Sequence, residues 1–186
     1  MHPLSSFRYC PRCGALAFKE HNFKAKRCTA CGFVYYFNPS AATAVFVVDH
    51  SNLLVSVRGK EPAQGTYDLP GGFVDMGETA EGAAWRELQE EVHLEQGPGL
   101  ELQYLFSLPN LYLYSAFEVH TLDMFYLLRV PNVNVYAGKG YDDVQELKSV
   151  PLDKVNPEAF GLSSIRQAVS RFCAELPLGN KEVTAQ

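Results

Sequence analysis

Three carboxylates crowd the stretch WRELQEEVHL, residues 85–94, where Glu87, Glu90 and Glu91 fall within little more than one helical turn. At roughly 100° per residue they project from one face. Like charges three or four residues apart repel by about 0.2–0.5 kcal/mol per pair. Glu90 and Glu91 also fall in the last turn of the helix that this pattern implies, where the macrodipole disfavours anions. Two local rules are broken together, and the arrangement calls for a counter-ion.

A second constellation is built from sulfur. Cys10 and Cys13 stand in CPRC, Cys28 and Cys31 in CTAC, fourteen residues apart, and each pair is followed by a glycine, Gly14 or Gly32. Glycine there permits the tight turn that aims two sulfurs at one point. The spacing resembles a zinc ribbon, in which four thiolates complete a tetrahedral site. A disulfide pair and a thioredoxin-like redox motif are the alternatives. A reducing compartment weighs against the first, and duplicate C-x-x-C pairs without a surrounding βαβ pattern weigh against the second. A ribbon so short buries little apolar surface, so bound metal would supply the folding energy that its core lacks.

The elements that must position these groups follow from pattern. Helix signals begin at Ala80, with Thr79 as N-cap. Trp85, Leu88 and Val92 share the face opposite the glutamates, which makes the acidic side the free one. SAATAVFVVDH and NLLVSVR are apolar and β-branched, separated by a polar turn at 49–52, and predict paired strands. TYDLPGGFVDMGE is a loop held open by Pro70, Gly71, Gly72 and Gly77. Further strands are expected near 102–108, 122–130 and 144–150, and a second helix from about Phe160 that buries Cys173. Strands and helices mixed in this order predict an α/β layer architecture.

At 186 residues and 47% hydrophobic, the chain suits one globular domain with a small appendage. Charge divides it the same way. Residues 1–37 hold six basic residues and one acidic, +5, while the remainder holds ten basic and twenty acidic, −10. An acidic body repels phosphate substrates unless cations intervene, which again points to a metal. The basic ribbon is either a solvated face or a nucleic-acid contact, and four thiolates on zinc would reduce its charge to about +3. No apolar run approaches the roughly 20 residues of a membrane helix, and MHPLSSFRYC lacks the features of a signal peptide. A cytoplasmic protein is expected, with boundaries at 1–37 for the ribbon, 38–176 for the main domain and 177–186 for a frayed tail.

Read as one run, residues 71–94, GGFVDMGETAEGAAWRELQEEVHL, resemble the Nudix box, G-x5-E-x7-R-E-U-x-E-E-x-G-U. Gly72, Glu78, Arg86, Glu87, Leu88, Glu90, Glu91 and Leu94 match. His93 stands where the box has its second glycine, at the helix C-terminal cap. The resemblance implies a Nudix α/β/α sandwich with a mixed sheet. It also implies that Glu87, Glu90 and Glu91 cradle Mg²⁺ or Mn²⁺, that Gly71 and Gly72 bring backbone into the site, and that Glu78 pairs with Arg86 to fix loop against helix. Such an arrangement suits diphosphate hydrolysis: metals bridge phosphate oxygens, lower the pKa of a bound water and stabilise charge on the leaving group. A general base or further ligand is expected from GKGYDDVQELKSV, which offers Asp142, Asp143 and Glu146; Glu146 is preferred because related enzymes commonly place a carboxylate just before the final strand.

A four-cysteine ribbon ahead of this box looks like the NADH pyrophosphatase branch, whose members cut NADH to the nicotinamide mononucleotide and AMP. That branch carries the signature SQPWPFP. Here SLPNLYLYS keeps Ser107, Pro109 and an aromatic at Tyr112 without the tryptophan and the later prolines. The expected function is metal-dependent hydrolysis of a nucleoside diphosphate linked to another moiety, with NADH and ADP-ribose leading. Tyr112, Tyr114 and Phe117 either stack on a base or pack in the core. The alternative function is a non-catalytic nucleotide sensor that contacts nucleic acid or protein through the ribbon. The oligomeric state, a homodimer among the options, is left open.

Overall fold

The structure, a computed structural model, describes residues 2–114 and 117–175, so the tail expected at 177–186 lies outside the described residues. Strands β1 (Phe18–Asn22), β2 (Ala25–Cys28) and β3 (Val34–Tyr36) form a small antiparallel sheet. The chain then runs through β4 (Ser40–Val48), β5 (Asn52–Arg58), β6 (Tyr67–Asp68), α1 (Ala80–Glu87), β7 (Leu102–Tyr114), β8 (Phe117–Arg129), β9 (Gly138–Lys139), β10 (Val144–Pro151) and α2 (Ser163–Glu175). The strands from β4 onward make a seven-stranded mixed sheet, ordered β7-β8-β4-β5-β10-β9, with β6 beside β5. β4 and β8 run parallel, and the other neighbours are antiparallel.

Helices cover both faces. Val45, Val47 and Leu54 pack with Ala84, Leu88 and Val92 on the α1 side. Phe46, Val48, Leu53 and Val55 pack with Ile165, Val169 and Phe172 on the other, where the Phe46 and Phe172 rings stack at 4.1 Å. A strand covered on both faces needs apolar side chains at successive positions, which is why residues 44–48 read as one continuous run.

One irregularity in this sheet positions the site. β4 and β5 pair only at Val47–Leu54 and Val48–Leu53 and then diverge. Residues 67–74 enter the gap. β6 pairs with Ser56 and Val57 on one side. On the other, the Pro70 and Gly72 carbonyls accept from the N–H groups of Val45 and Thr43 at 2.9 and 2.8 Å, and Val74 N–H donates to the Ala41 carbonyl at 3.0 Å. The glycine-rich loop is thus fastened by sheet hydrogen bonds on both flanks.

Some boundaries differ from the sequence-based expectation. β7 and β8 extend well past 102–108 and 122–130 into a long hairpin. Pro109 is tolerated because β7 is the edge strand, where a missing N–H leaves no partner unsatisfied. α2 starts at Ser163 because residues 157–159 form a 3₁₀ turn opened by Pro157, with the Asn156 side chain accepting from Glu158 N–H. Cys173 is partly buried against the α2-side core.

The small sheet meets the hairpin through aromatic rings: Phe7 and Phe37 contact Phe117 edge-on at 5.5 and 5.8 Å. Phe37 also meets His120. Buried Lys26 donates to the Leu4 and Phe7 carbonyls at 2.9 and 2.6 Å and secures the segment before the first cysteine pair. No helix among the described residues is long and apolar enough to cross a membrane.

Candidate active site

The glutamate helix is capped as its sequence requires, with Thr79 Oγ1 accepting from Gly82 N–H at 3.0 Å. Its end departs from an ordinary α-helix. Residues 88–92 form a π-helical turn closed by His93 in the left-handed conformation, φ 57° and ψ 35°. His93 N–H donates to the Leu88 and Gln89 carbonyls, and Leu94 N–H reaches back to Leu88 at 3.1 Å. A π turn advances each residue by less than an α turn, so Glu91 comes nearly into line with Glu87. The acidic side is accordingly not a free face: Glu87 and Glu91 are 8% and 7% exposed and point into the protein, while Glu90 stays outside.

Two glycines make room for those carboxylates. Gly71 N–H donates to Glu91 Oε2 at 3.0 Å. A Cβ at Gly71 would lie 2.1 Å from the Thr43 carbonyl oxygen, and its φ of 151° lies where side chains are disfavoured. A Cβ at Gly72 would lie 2.4 Å from Glu87 Oε1. Arg86 gathers the outer charges. It donates to both Glu78 oxygens at 3.1 and 3.2 Å, to Glu87 at 2.8 Å, to Glu90 at 3.1 Å and to the Phe73 carbonyl at 2.9 Å. The forked guanidinium thereby joins loop to helix.

Burial lifts the Glu87 pKa above the ordinary carboxylate range against the opposing pull of Arg86. Burial lifts Glu91 further, opposed by Gly71 N–H and reinforced by the charges of Glu87, Asp68 and Asp142. Glu78 is shifted downward by its hydrogen bonds to Arg86. The protein thus compensates the charged form of the inner carboxylates only in part, and a hard divalent cation with oxygen ligands would supply the rest. Glu87, Glu90 and Glu91 do not yet converge on one point. Among the described residues, the four cysteines are the one group of three or more ligand atoms within 4.8 Å of one another. Glu90 faces Arg86 instead and, half-exposed, is able to turn.

Glu87, Glu91, Gly71, Gly72 and Arg86 line a cavity of about 650 Å³ with Thr43, Arg58, Asp68, Tyr112, Asp123, Asp142 and Asp143, whereas Glu90 lies outside its lining. Tyr112 meets Phe73 edge-on at 6.0 Å, and its hydroxyl accepts from Arg58 at 3.4 Å. Phe117 lies against Phe7 and Phe37 instead, and the Tyr114 side chain lies outside the described residues. Glu146 is not brought to the cavity. It is opposite Val57 on β5, on the sheet face away from α1, and pairs with Lys148 at 3.3 Å. The bulge between Val144 and Glu146 sets that orientation, and Asp142 and Asp143 line the cavity in its place.

Sequence reasoning missed three groups here. Asp68 is buried and paired with Arg58, and Asp123 is buried and accepts from Thr121 and Ser164 hydroxyls at 2.6 Å each. Thr43 lines the cavity with its hydroxyl buried and unpartnered. A lone acid within an otherwise apolar strand, as in TLDMFYLL, was the available signal for Asp123.

At the other end of the chain, Cys10–Cys31 and Cys13–Cys28 sulfurs are 3.7 Å apart, and all four cysteines are free. Four sulfurs around zinc at about 2.3 Å stand about 3.8 Å apart, whereas a disulfide needs about 2.05 Å. The spacing is that of a metal-holding group. Gly14 and Gly32, with φ of 73° and 75°, close the two turns that aim the sulfurs inward.

The model of the NUDIX domain matches residues 38–172. The chain belongs to the Nudix family. Nudix hydrolases in general need a divalent metal. Curated relatives include the NAD-capped RNA hydrolase NudC of Vibrio vulnificus, 31% identical over 94 residues, which cover 50% of this chain and 36% of the relative. The match thus spans about a third of that relative's length. The ADP-ribose pyrophosphatase of Methanocaldococcus jannaschii is 29% identical over 138 residues, covering 74% of this chain and 76% of the relative. Among solved structures, a NUDIX hydrolase from Nitrosomonas europaea superposes with a TM-score of 0.67 at 17% identity, over 90% of this chain and 91% of that one. That likeness bears on the fold, a Nudix α/β/α sandwich.

Proposed function

We propose that the protein hydrolyses the diphosphate bond of a nucleoside diphosphate linked to a second moiety, with ADP-ribose and NADH as the leading substrates. The observation that carries this reading is the buried pair Glu87 and Glu91 against the backbone of Gly71 and Gly72, inside a cavity of about 650 Å³ that Tyr112 also lines. Glu87, Glu90 and Glu91 hold Mg²⁺ or Mn²⁺, which when bound supplies charge stabilisation on the bridging phosphates and an acidified water. Gly71 and Gly72 bring the loop backbone against the carboxylates, and Arg86 with Glu78 keeps loop and helix in register. Asp142 takes the role expected of Glu146, a carboxylate beside the cluster that accepts the proton from attacking water. Tyr112 and Phe73 form the aromatic wall against which a base or nicotinamide ring stacks.

Residues 1–37 form a ribbon in which Cys10, Cys13, Cys28 and Cys31 hold zinc for structure, and residues 38–176 carry the chemistry. The names of the relatives supply a further candidate, the NAD end of a capped RNA, which presents the same diphosphate. The test is a panel of ADP-ribose, NADH, NAD-capped RNA and nucleoside triphosphates incubated with Mg²⁺ in isotopically labelled water, with products identified by mass. AMP with ribose 5-phosphate from ADP-ribose, and AMP with reduced nicotinamide mononucleotide from NADH, are expected. Free nicotinamide or adenine, or ligand binding without any turnover, would refute the reading; the latter outcome is that of a sensor.

A further inference from the structure

His93 occupies a position at which its backbone is strained, φ 57°, and where the family box has glycine. Its ring is not idle. It stacks on Tyr141 with centroids 3.7 Å apart and planes at 25°. Tyr141 opens a tight turn: its carbonyl accepts from Val144 N–H at 3.0 Å, and residue 140 must lack a side chain, since a Cβ there would lie 2.4 Å from the Val144 carbonyl oxygen. At the crown of that turn Asp142 adopts a left-handed φ of 51° and lines the cavity that holds Glu87 and Glu91. The other flank of the turn is anchored separately, by Gly59 N–H donating to the Asp143 carbonyl at 2.8 Å and by the Lys60–Asp143 ion pair.

We propose that His93 and Tyr141 form a clasp that seats Asp142 beside the glutamate cluster, making His93 a positioning residue for the metal site. The inference rests on the hydrolase reading given above. Both rings are exposed, so their contact adds little to the core; its consequence is the relative placement of the helix end and the β9–β10 turn. Glycine at 93 would relax the backbone yet remove the ring contact between the helix end and the turn, leaving the turn to the Gly59 and Lys60 contacts and to Lys139 over the Tyr141 ring at 5.9 Å. A divalent cation at the cluster would then lose a well-placed neighbouring carboxylate.

The test uses the full chain and the variants His93→Gly, Tyr141→Ala, their combination, and His93→Phe. Each is titrated with Mn²⁺ alone, followed by water-proton relaxation, and assayed for ADP-ribose turnover against Mn²⁺ concentration. Each of the first two variants is expected to raise the Mn²⁺ dissociation constant about tenfold, the effect of losing an outer-shell partner. The combined variant should be no worse than either, because both remove one contact. His93→Phe, which keeps a ring, should retain wild-type affinity at some loss of melting temperature, whereas His93→Gly should melt no lower than wild type. Unchanged Mn²⁺ affinity in His93→Gly, or additive losses in the combined variant, would overturn the clasp. Clasp-dependent Mn²⁺ binding by a chain that cleaves none of ADP-ribose, NADH and NAD-capped RNA would sustain it and defeat the hydrolase reading. Cleavage by variants that bind Mn²⁺ as wild type does would leave that reading standing and remove the clasp.

Discussion

Gly71 and Glu91 are twenty residues apart in sequence and joined by one hydrogen bond, N–H to Oε2 at 3.0 Å. The bond links the loop wedged between β4 and β5 to the π turn at the end of α1. It turns a buried carboxylate toward the cavity, and it requires that residue 71 have no side chain, since a Cβ would meet the Thr43 carbonyl.

Alanine at the two loop glycines should therefore have different consequences. In Gly71→Ala the clash is with backbone and the φ is unfavourable, so the loop must leave its place in the sheet; a loss of about 2–3 kcal/mol is expected. In Gly72→Ala the clash is with the end of the Glu87 side chain, which is able to move. That variant should fold within about 1 kcal/mol of wild type and lose most of its activity. Denaturant melts and turnover of both variants check this, and equal destabilisation would count against the loop geometry.

Glu90→Gln should separate chemistry from stability. Glu90 is half-exposed and bonded to Arg86, which keeps Glu78, Glu87 and the Phe73 carbonyl when Glu90 loses its charge. Stability should stay within about 0.5 kcal/mol. Turnover should fall by about two orders of magnitude, or about 2.7 kcal/mol of barrier, if Glu90 turns to bind the catalytic cation. Activity within a few-fold of wild type would remove Glu90 from the metal site.

What could be read from the sequence was whatever repeats locally. The N-cap at Thr79, the continuous apolar, β-branched runs of β4 and β5, and the sulfur spacing each depend on neighbours within a few residues, and all three are visible as pattern. The π turn was not visible, because a turn that gains one residue leaves the same string of side chains; the left-handed His93 was its one trace. The split between β4 and β5, and with it the burial of Glu87 and Glu91, depends on residues 67–74 pairing with strands on both sides. Glu146 and Asp142 illustrate the same limit. Which acid of YDDVQE faces the cavity is decided by a bulge at residue 145, and a single-residue shift exchanges the faces of a strand.

The cysteine cluster predicts a separable metal. Purified protein should contain one zinc per chain, and Cys28→Ser should lose it, because Cys28 is fully buried in the cluster and metal binding supplies the folding energy of so small a sheet. Chelation should raise amide exchange in residues 18–36 before it affects the seven-stranded sheet. Elemental analysis with hydrogen exchange measures both. A zinc-free protein with a protected small sheet would exclude the structural role.

Removing the charge of Glu91 should stabilise the metal-free protein at neutral pH. Burial raises the Glu91 pKa in the folded chain above its ordinary value, so the folded state binds the proton more tightly than the unfolded state does. The sign follows from linkage: the contribution of Glu91 to stability is fully present below the ordinary carboxylate pKa of about 4.3 and is lost as pH rises through the folded value. Glu91→Gln cannot titrate, and its amide oxygen still accepts from Gly71 N–H. The difference in stability, variant minus wild type, should be smallest near pH 4 and grow in favour of the variant toward pH 7. Saturating Mg²⁺ should reverse the order at pH 7, because the cation binds the carboxylate and stabilises only the wild type. Paired melts of the two proteins across this range, with chelator and with Mg²⁺, measure the difference directly. A difference that does not change with pH in the chelated samples would mean that Glu91 is not held against its charge, and the buried carboxylate could no longer be the reason for the metal.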